Sequence, residues 1–314
     1  MQIVLPGALP DPAIAPELAS HLEKKAPRFT EWLSRAQAHV MPAAPGETFC
    51  TTYEYWLLHY HGFTPDAQQR PAAGLSAILA HEAGAPVAAG EPLWLGQLVH
   101  VAPARDGAAL IPASELEITP EESQALYDAA APWLPDSGFA AVPFDTAHWA
   151  LTPPPGYTPE CASPALVSIT SVNDWWSQDA AGRPWRRLVN ELQMLWFDHP
   201  VNQARQARGL RPVNSVWLYG GARPEQLGAT PSGQADTPRI LRGLQGPSLV
   251  QDWGSWLQEF ERLDREAFTQ LEMPARLTLT GSDRIVELTP ARHGFFGRLF
   301  GTKFDWRRWW SGHN

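Results

Sequence analysis

Pro212-Val213-Asn214-Ser215-Val216-Trp217-Leu218-Tyr219-Gly220-Gly221-Ala222-Arg223 is the stretch on which the fold turns. Val213–Tyr219 is a mostly apolar run of strand length, rich in β-branched and aromatic residues and closed by two glycines. That is the pattern of a buried strand. Ahead of it, Pro184–Asp198 sets Trp185, Leu188, Val189, Leu192, Leu195 and Trp196 on one side, with Arg187 one turn from Glu191; this predicts an amphipathic helix. Pro200 opens a second helix, capped from Asp198 or His199 and stopped by Gly209. Helices leading into a fully buried strand predict an α/β chain with a mixed sheet flanked by helices.

Working outward, Gln2–Leu5 reads as a first strand, Pro16–Lys25 and Arg28–His39 as helices, and Thr51–Tyr60 as a helix capped from Thr51 or Thr52. Ala72–Glu82 is a small-residue helix ending at Gly84, and Leu93–Val101 and Ala109–Pro112 are strands. Thr119-Pro120-Glu121-Glu122 combines a Thr cap, Pro at the first helical position and Glu three residues on, a strong helix start. Strands are expected at Phe139–Phe144, His148–Leu151 and Leu166–Val172, a long helix over Leu249–Leu271, then strands at Arg276–Thr280 and Arg284–Leu288. The stiff Pro153–Pro159 connector suggests a division into 1–152, 160–291 and a basic aromatic tail over 292–314. The loop Arg223–Pro238 is rich in Gly and Pro and is expected to be mobile.

The 314 residues are 44% hydrophobic and 18% charged, enough to build a sizeable core. A formal charge of −9 argues against general nucleic-acid binding, which needs cations to displace counterions from phosphates. Fifteen tryptophans, spread along the chain, read as packing rather than as one ligand platform. Two cysteines, Cys50 and Cys161, cannot form a disulfide framework or a four-thiolate zinc site. The start Met1–Gly7 lacks a basic region and a long apolar core, and no transmembrane run of about 18 apolar residues exists, so a cytoplasmic location is expected.

Several catalytic patterns are missing: no Gly-x-Ser-x-Gly elbow, P-loop or dinucleotide fingerprint occurs. Asp198-His199 could be a metal pair, but it stands between two helices, where capping accounts for it. His59-x-His61 has no nearby acid or cysteine to complete a metal set, and Cys50 among apolar neighbours reads as an inert buried thiol. The candidate site is Asn202, Arg205, Asn214, Gly220, Gly221 and Arg223. Asn202, Arg205 and Gln206 share a helix face, and the strand ends in a Gly-Gly turn beside an arginine, which could nest an anion. Alternatively, Asn202 and Asn214 bridge backbone groups and the arginines are merely solvated.

The run Asn190-Glu-Leu-Gln-Met-Leu-Trp-Phe-Asp-His-Pro-Val-Asn202, with Gly209-Leu-Arg-Pro-Val-Asn-Ser-Val-Trp-Leu-Tyr-Gly-Gly221, resembles the signature of the RpfE-type regulatory proteins of proteobacteria. Its His-Pro-Val-Asn, Arg, Gly and Pro-Val-Asn spacing is similar to archaeal-type cofactor-independent phosphoglycerate mutases of the alkaline phosphatase superfamily. The specific part covers about 35 residues. It implies a degenerate alkaline-phosphatase-like core. Mutases of that kind follow the first strand with a metal-ligating Asp; here Pro6-Gly7-Ala8 follows it. They carry an Asp-His pair late in the chain; here the nearest match is Asp283-Arg284. The expectation is therefore a non-catalytic regulatory or binding protein with no cofactor, taking a small anionic ligand or an acidic protein partner. The alternatives are a metal-dependent mutase-like enzyme and a purely structural interaction module. Arg307, Arg308, Trp309 and Trp310 in the tail either dock on the body or touch a partner or membrane surface.

Overall fold

Ten strands and their helices are described by a computed structural model covering residues 1–105, 107–228, 237–291 and 304–312. The strands are β1 (Gln2–Leu5), β2 (Ala36–Pro42), β3 (Leu93–Ala104), β4 (Gly107–Ile111), β5 (Ala140–Pro143), β6 (His148–Thr152), β7 (Ser215–Ala222), β8 (Arg239–Ile240), β9 (Arg276–Thr280) and β10 (Arg284–Pro290). They form two sheets, each flanked by helices, so the chain is mixed α/β.

The chain forms two compact units. The first joins Met1–Gly46 to Pro231–Asn314, and the second is Glu47–Thr230. In the first, the sheet order is β2-β10-β9-β1-β8, with β1 parallel to both β8 and β9 and β10 antiparallel to its neighbours. Every residue of β1 is buried, as expected for a strand with a partner on each side and helices over it. Phe29, Trp32, Trp256, Phe260 and Phe268 fill the core against Ile3, Leu5, Leu277 and Leu279. Asp264, itself buried, accepts from the Phe29 backbone N–H at 2.7 Å and so satisfies a free donor at the start of the Pro27–Arg35 helix.

The division differs from the one expected at Pro153–Pro159. That connector lies inside the second unit, because β3 pairs with β6 before it and β7 after it. The second sheet is antiparallel throughout: β3 takes β7 on one side and β6 and β4 on the other, with β5 beyond β6. One face, with Trp94, Leu98, Val216 and Leu218, packs under the helices Pro120–Ala130 and Arg183–Phe197. The other face, with Leu95, Val99, Trp217 and Tyr219, packs under Thr52–Tyr60, Gly74–Ala83 and Pro164–Ser168. β7 is thus covered on both faces, which is why it reads as an unbroken apolar run.

Three local expectations give way. The helix expected over 28–39 ends at Arg35; Ala36–Pro42 instead pairs along its length with β10, tertiary pairing overriding helix pattern. Leu166–Val172 is not a strand: Ser163 accepts the Leu166 N–H at 3.1 Å, Pro164 takes the first helical position, and Pro164–Ser168 is a short helix. The long helix expected over 249–271 begins only at Trp253, capped by Asp252, runs to Leu263 and continues as a wider turn over Asp264–Phe268, while Leu249 ends a separate short helix, Gln245–Leu249.

In the tail, Trp306–Trp310 is a short helix whose Trp306 and Trp310 are buried in the first unit's core, and Arg307 pairs with Glu23. Trp310 is therefore unavailable to a partner. Arg292, Arg298 and Lys303 fall outside the described residues, as do residues 229–236 of the Gly- and Pro-rich loop. Among the described residues no helix is long and apolar enough to cross a membrane.

Candidate functional site

The six expected site residues divide between the two ends of β7. At its start, the Arg183–Phe197 helix stops at Asp198, and His199 caps the next helix, Pro200–Ala207, by accepting the Val201 N–H at Nδ1. Capping is thus what the Asp198-His199 pair does. Asn202 is buried and fully engaged: its amide nitrogen donates to the carbonyls of Trp196 and Val213, each at 2.8 Å, and its oxygen accepts the Val213 N–H at 2.9 Å. Asn214 brackets Val101 in the same way, accepting its N–H and donating to its carbonyl, each at 2.8 Å. These amides stand in for missing backbone ladder bonds.

Arg205 was expected on a helix surface. It is instead completely buried, at 0% exposure. Its guanidinium donates to the Arg211 carbonyl at 2.8 Å, to the Leu116 carbonyl and to the Glu122 carboxylate. Glu122 is also the third helical residue of the Thr119 capping box, and it pairs with Arg208 as well. Burial pushes the Glu122 carboxyl up. Hydrogen bonds from Arg208, the Thr119 backbone and Arg205 outweigh that and hold it below the usual range. One carboxylate therefore ties the start of the Pro120–Ala130 helix to the last turn of the Pro200–Ala207 helix, and Asn202 and Arg205 are placed as structural ties.

At the far end, β7 carries a bulge. Trp94 pairs with Gly220 and Leu93 with Ala222, leaving Gly221 without a partner. Both glycines are left-handed, with φ of 99° and 100°. A Cβ on Gly221 would lie 2.6 Å from the Trp94 ring, and one on Gly220 would lie 2.5 Å from Ser76 Oγ. Only glycine fits either position. The bulge opens on a cleft of about 450 Å³ lined by Gln69, Arg70, Trp94, Gly220, Gly221 and Arg223 among others. Arg223 pairs with Asp66 at 2.8 Å and Arg70 with Glu160 at 3.0 Å. The Arg70 guanidinium lies 4.8 Å above the Phe49 ring, and Gln69 donates to the Gly221 carbonyl at 2.8 Å. Cys161 also lines the cleft. Its thiol is pushed up to about 12 by burial and by Glu160, so it stays protonated and is no nucleophile. Burial, with Glu54 nearby, likewise raises the Cys50 thiol.

The eight residues of β7, at about 3.3 Å each, hold these two ends on the order of 25 Å apart. Arg205 and Arg223 therefore cannot grip one small ligand. Gly220, Gly221 and Arg223 share the cleft; Asn202, Arg205 and Asn214 do not line it. The sequence reading missed Arg70, Gln69 and Asp66. Their signal is the polar run Asp66-Ala-Gln-Gln-Arg70 just before Pro71, where a helical segment begins.

Beyond the end of β1, where the mutase-like pattern would hold metal ligands, the first unit is packed with other groups. Gly7 donates to Thr280 Oγ1 at 3.3 Å, and its carbonyl accepts from the Trp256 indole at 2.8 Å. Arg284 is buried, bonded to Asp283 and to the Trp310 carbonyl. Among the described residues no three His, Cys, Asp or Glu side chains are grouped to share a metal ion. His61 is buried and 3.7 Å from Glu82, whereas His59 is exposed.

No protein-family model and no curated protein matches the chain. Among solved structures, the chain is similar to a cofactor-independent phosphoglycerate mutase from Thermoplasma acidophilum DSM 1728, at 15% identity and a TM-score of 0.35, over 92% of this chain and 89% of that one. At that level the likeness assigns neither a family nor an activity.

Proposed function

We propose that the chain is a binding protein, on a mutase-like scaffold, that takes a small phosphorylated or carboxylate ligand at the bulged end of β7. The observation that carries this is the convergence of two guanidinium groups, Arg70 and Arg223, on the cleft that the Gly220-Gly221 bulge opens. Both side chains are partly exposed, at 42% and 37%, and each is balanced by one exposed acid. Such surface pairs contribute little to folding. An anion can displace the acid and gain a two-pronged, charge-assisted contact from the planar guanidinium. Trp94 gives the cleft an apolar wall beside the bulge, and the lower effective dielectric there strengthens those contacts.

Titration calorimetry with inorganic phosphate and 3-phosphoglycerate tests the reading. Arg223→Ala and Arg70→Ala should melt within a degree or two of wild type, because neither arginine is buried. Each should weaken phosphate-ester binding by roughly tenfold or more, the loss of a charge-assisted contact worth about 1.5–3 kcal/mol. Binding unchanged in both variants would place the ligand elsewhere. A second expectation concerns catalysis. With Pro6-Gly7 in place of Asp-Gly and Arg284 in place of a histidine, manganese and 3-phosphoglycerate should give no turnover above buffer. Turnover with bound metal would reinstate the enzyme reading.

A further inference from the structure

Four charged side chains line the cleft at the bulged end of β7, and they cancel: Arg70 and Arg223 stand against Asp66 and Glu160. A site built for a bare anion carries surplus positive charge, and this lining has none. The chain as a whole, at a formal −9, adds a field that repels multiply charged anions. When an anion displaces the two acids from the arginines, both carboxylates stay beside it, exposed at 51% and 46%, and repel it. A ligand that carries its own cation removes that repulsion.

The charges are held in place by two side-chain amides. Gln69 accepts the Asp66 N–H at 3.0 Å and donates to the Gly221 carbonyl, which fixes the Asp66–Arg70 segment to the bulge. Gln226 donates to Gln69 at 2.6 Å and accepts the Arg223 N–H at 2.8 Å, so the same amides set where Arg223 leaves the strand. Such preorganisation lowers the cost of ordering the site around a ligand. Of the two ion pairs, the one between Arg70 and Glu160 is poorly made. Arg70 Nε is buried, and although the carboxylate stands 3.0 Å away, its N–H has no aligned acceptor among the described residues. A buried donor without an acceptor is costly, and an incoming oxyanion recovers that cost.

We propose that the ligand is an amino acid or an aminated phosphate ester with a free ammonium group. This rests on the anion site proposed above and adds the cation. Arg70 and Arg223 take the anionic groups, and Asp66 and Glu160, released from them, turn to the ammonium. Each charge of the cleft then has an opposite partner before and after binding.

The matched pair that tests this is O-phosphoserine and 3-phosphoglycerate, which differ only in an ammonium where the other has a hydroxyl. Calorimetry at one ionic strength should show O-phosphoserine binding about tenfold tighter or more. N-acetyl-O-phosphoserine, its amine capped as in a peptide, should fall back to the 3-phosphoglycerate value. Asp66→Asn combined with Glu160→Gln, both at exposed positions, should bring the two ligands to within about twofold of each other. The same double variant should bind 3-phosphoglycerate as tightly as wild type or tighter, because no acid competes for the arginines. Binding of 3-phosphoglycerate through the arginines with no advantage for O-phosphoserine overturns this inference and leaves the anion site standing. So does an advantage that survives N-acetylation or the double acid variant. Binding of neither ligand, or binding indifferent to Arg70→Ala and Arg223→Ala, overturns both.

Discussion

Arg205→Ala is expected to destabilise the second unit by about 3–5 kcal/mol, the cost of breaking a buried ion pair by removing one partner. The side chain leaves behind three acceptors. The Leu116 and Arg211 carbonyls lose their donor, and Glu122 loses its buried cation. Arg208 remains beside Glu122 but is half-exposed and can replace only part of that charge. Arg208→Ala should therefore cost much less, within the surface-pair range of about 0–1 kcal/mol. Urea denaturation at neutral pH separates the two, and equal costs would contradict the burial of Arg205. The same carboxylate sets a pH dependence. Its folded-state value lies below the ordinary glutamate range, so its contribution is full above the unfolded value and is lost as pH falls through the folded one. Glu122→Gln should remove that part of the acid sensitivity.

Trp217→Ala is expected to cost about 3–5 kcal/mol, a large fraction of an ordinary domain's stability. Trp217 is 4% exposed, its indole donates to the Ala162 carbonyl at 2.9 Å, and its ring lies 5.7 Å from that of Trp176. Truncation opens a cavity between β7 and the Pro164–Ser168 helix and strands the Ala162 acceptor. Trp217→Phe keeps most of the volume and should avoid much of that loss, missing chiefly the hydrogen bond to the Ala162 carbonyl. A melting temperature for Trp217→Ala near wild type would show that the face of β7 is loosely packed.

What the sequence made legible was local or strongly periodic. Thr119 and Glu122 form the expected capping box, Thr51 caps its helix, and Gly84 ends the 74–83 helix in a left-handed turn. The buried character of β7 followed from its composition. Arg205 was misread as exposed because its partner Glu122 stands 83 residues away, and helix periodicity carries no trace of such a tie. Spacing alone suggested that Asn202, Arg205 and Arg223 could meet, whereas β7 runs its full length between them. Arg70 escaped notice for the mirror reason: it reaches the Gly-Gly bulge only through the pairing of β3 with β7 and the packing of the helices above them. The joining of Gln2–Leu5 to Arg276–Thr280 is likewise a parallel pairing between opposite ends of the chain, which no local signal announces.

The central claim is that the anion site lies at the bulged end of β7 and not at the Asn202–Arg205 tie. Backbone amide shifts during a titration with 3-phosphoglycerate locate it directly. The expected result is saturable movement of the Gln69, Arg70, Gly220, Gly221 and Arg223 resonances, with Asn202, Arg205 and Val213 unmoved. Shifts centred on residues 202–214, or none at millimolar ligand, would contradict the account.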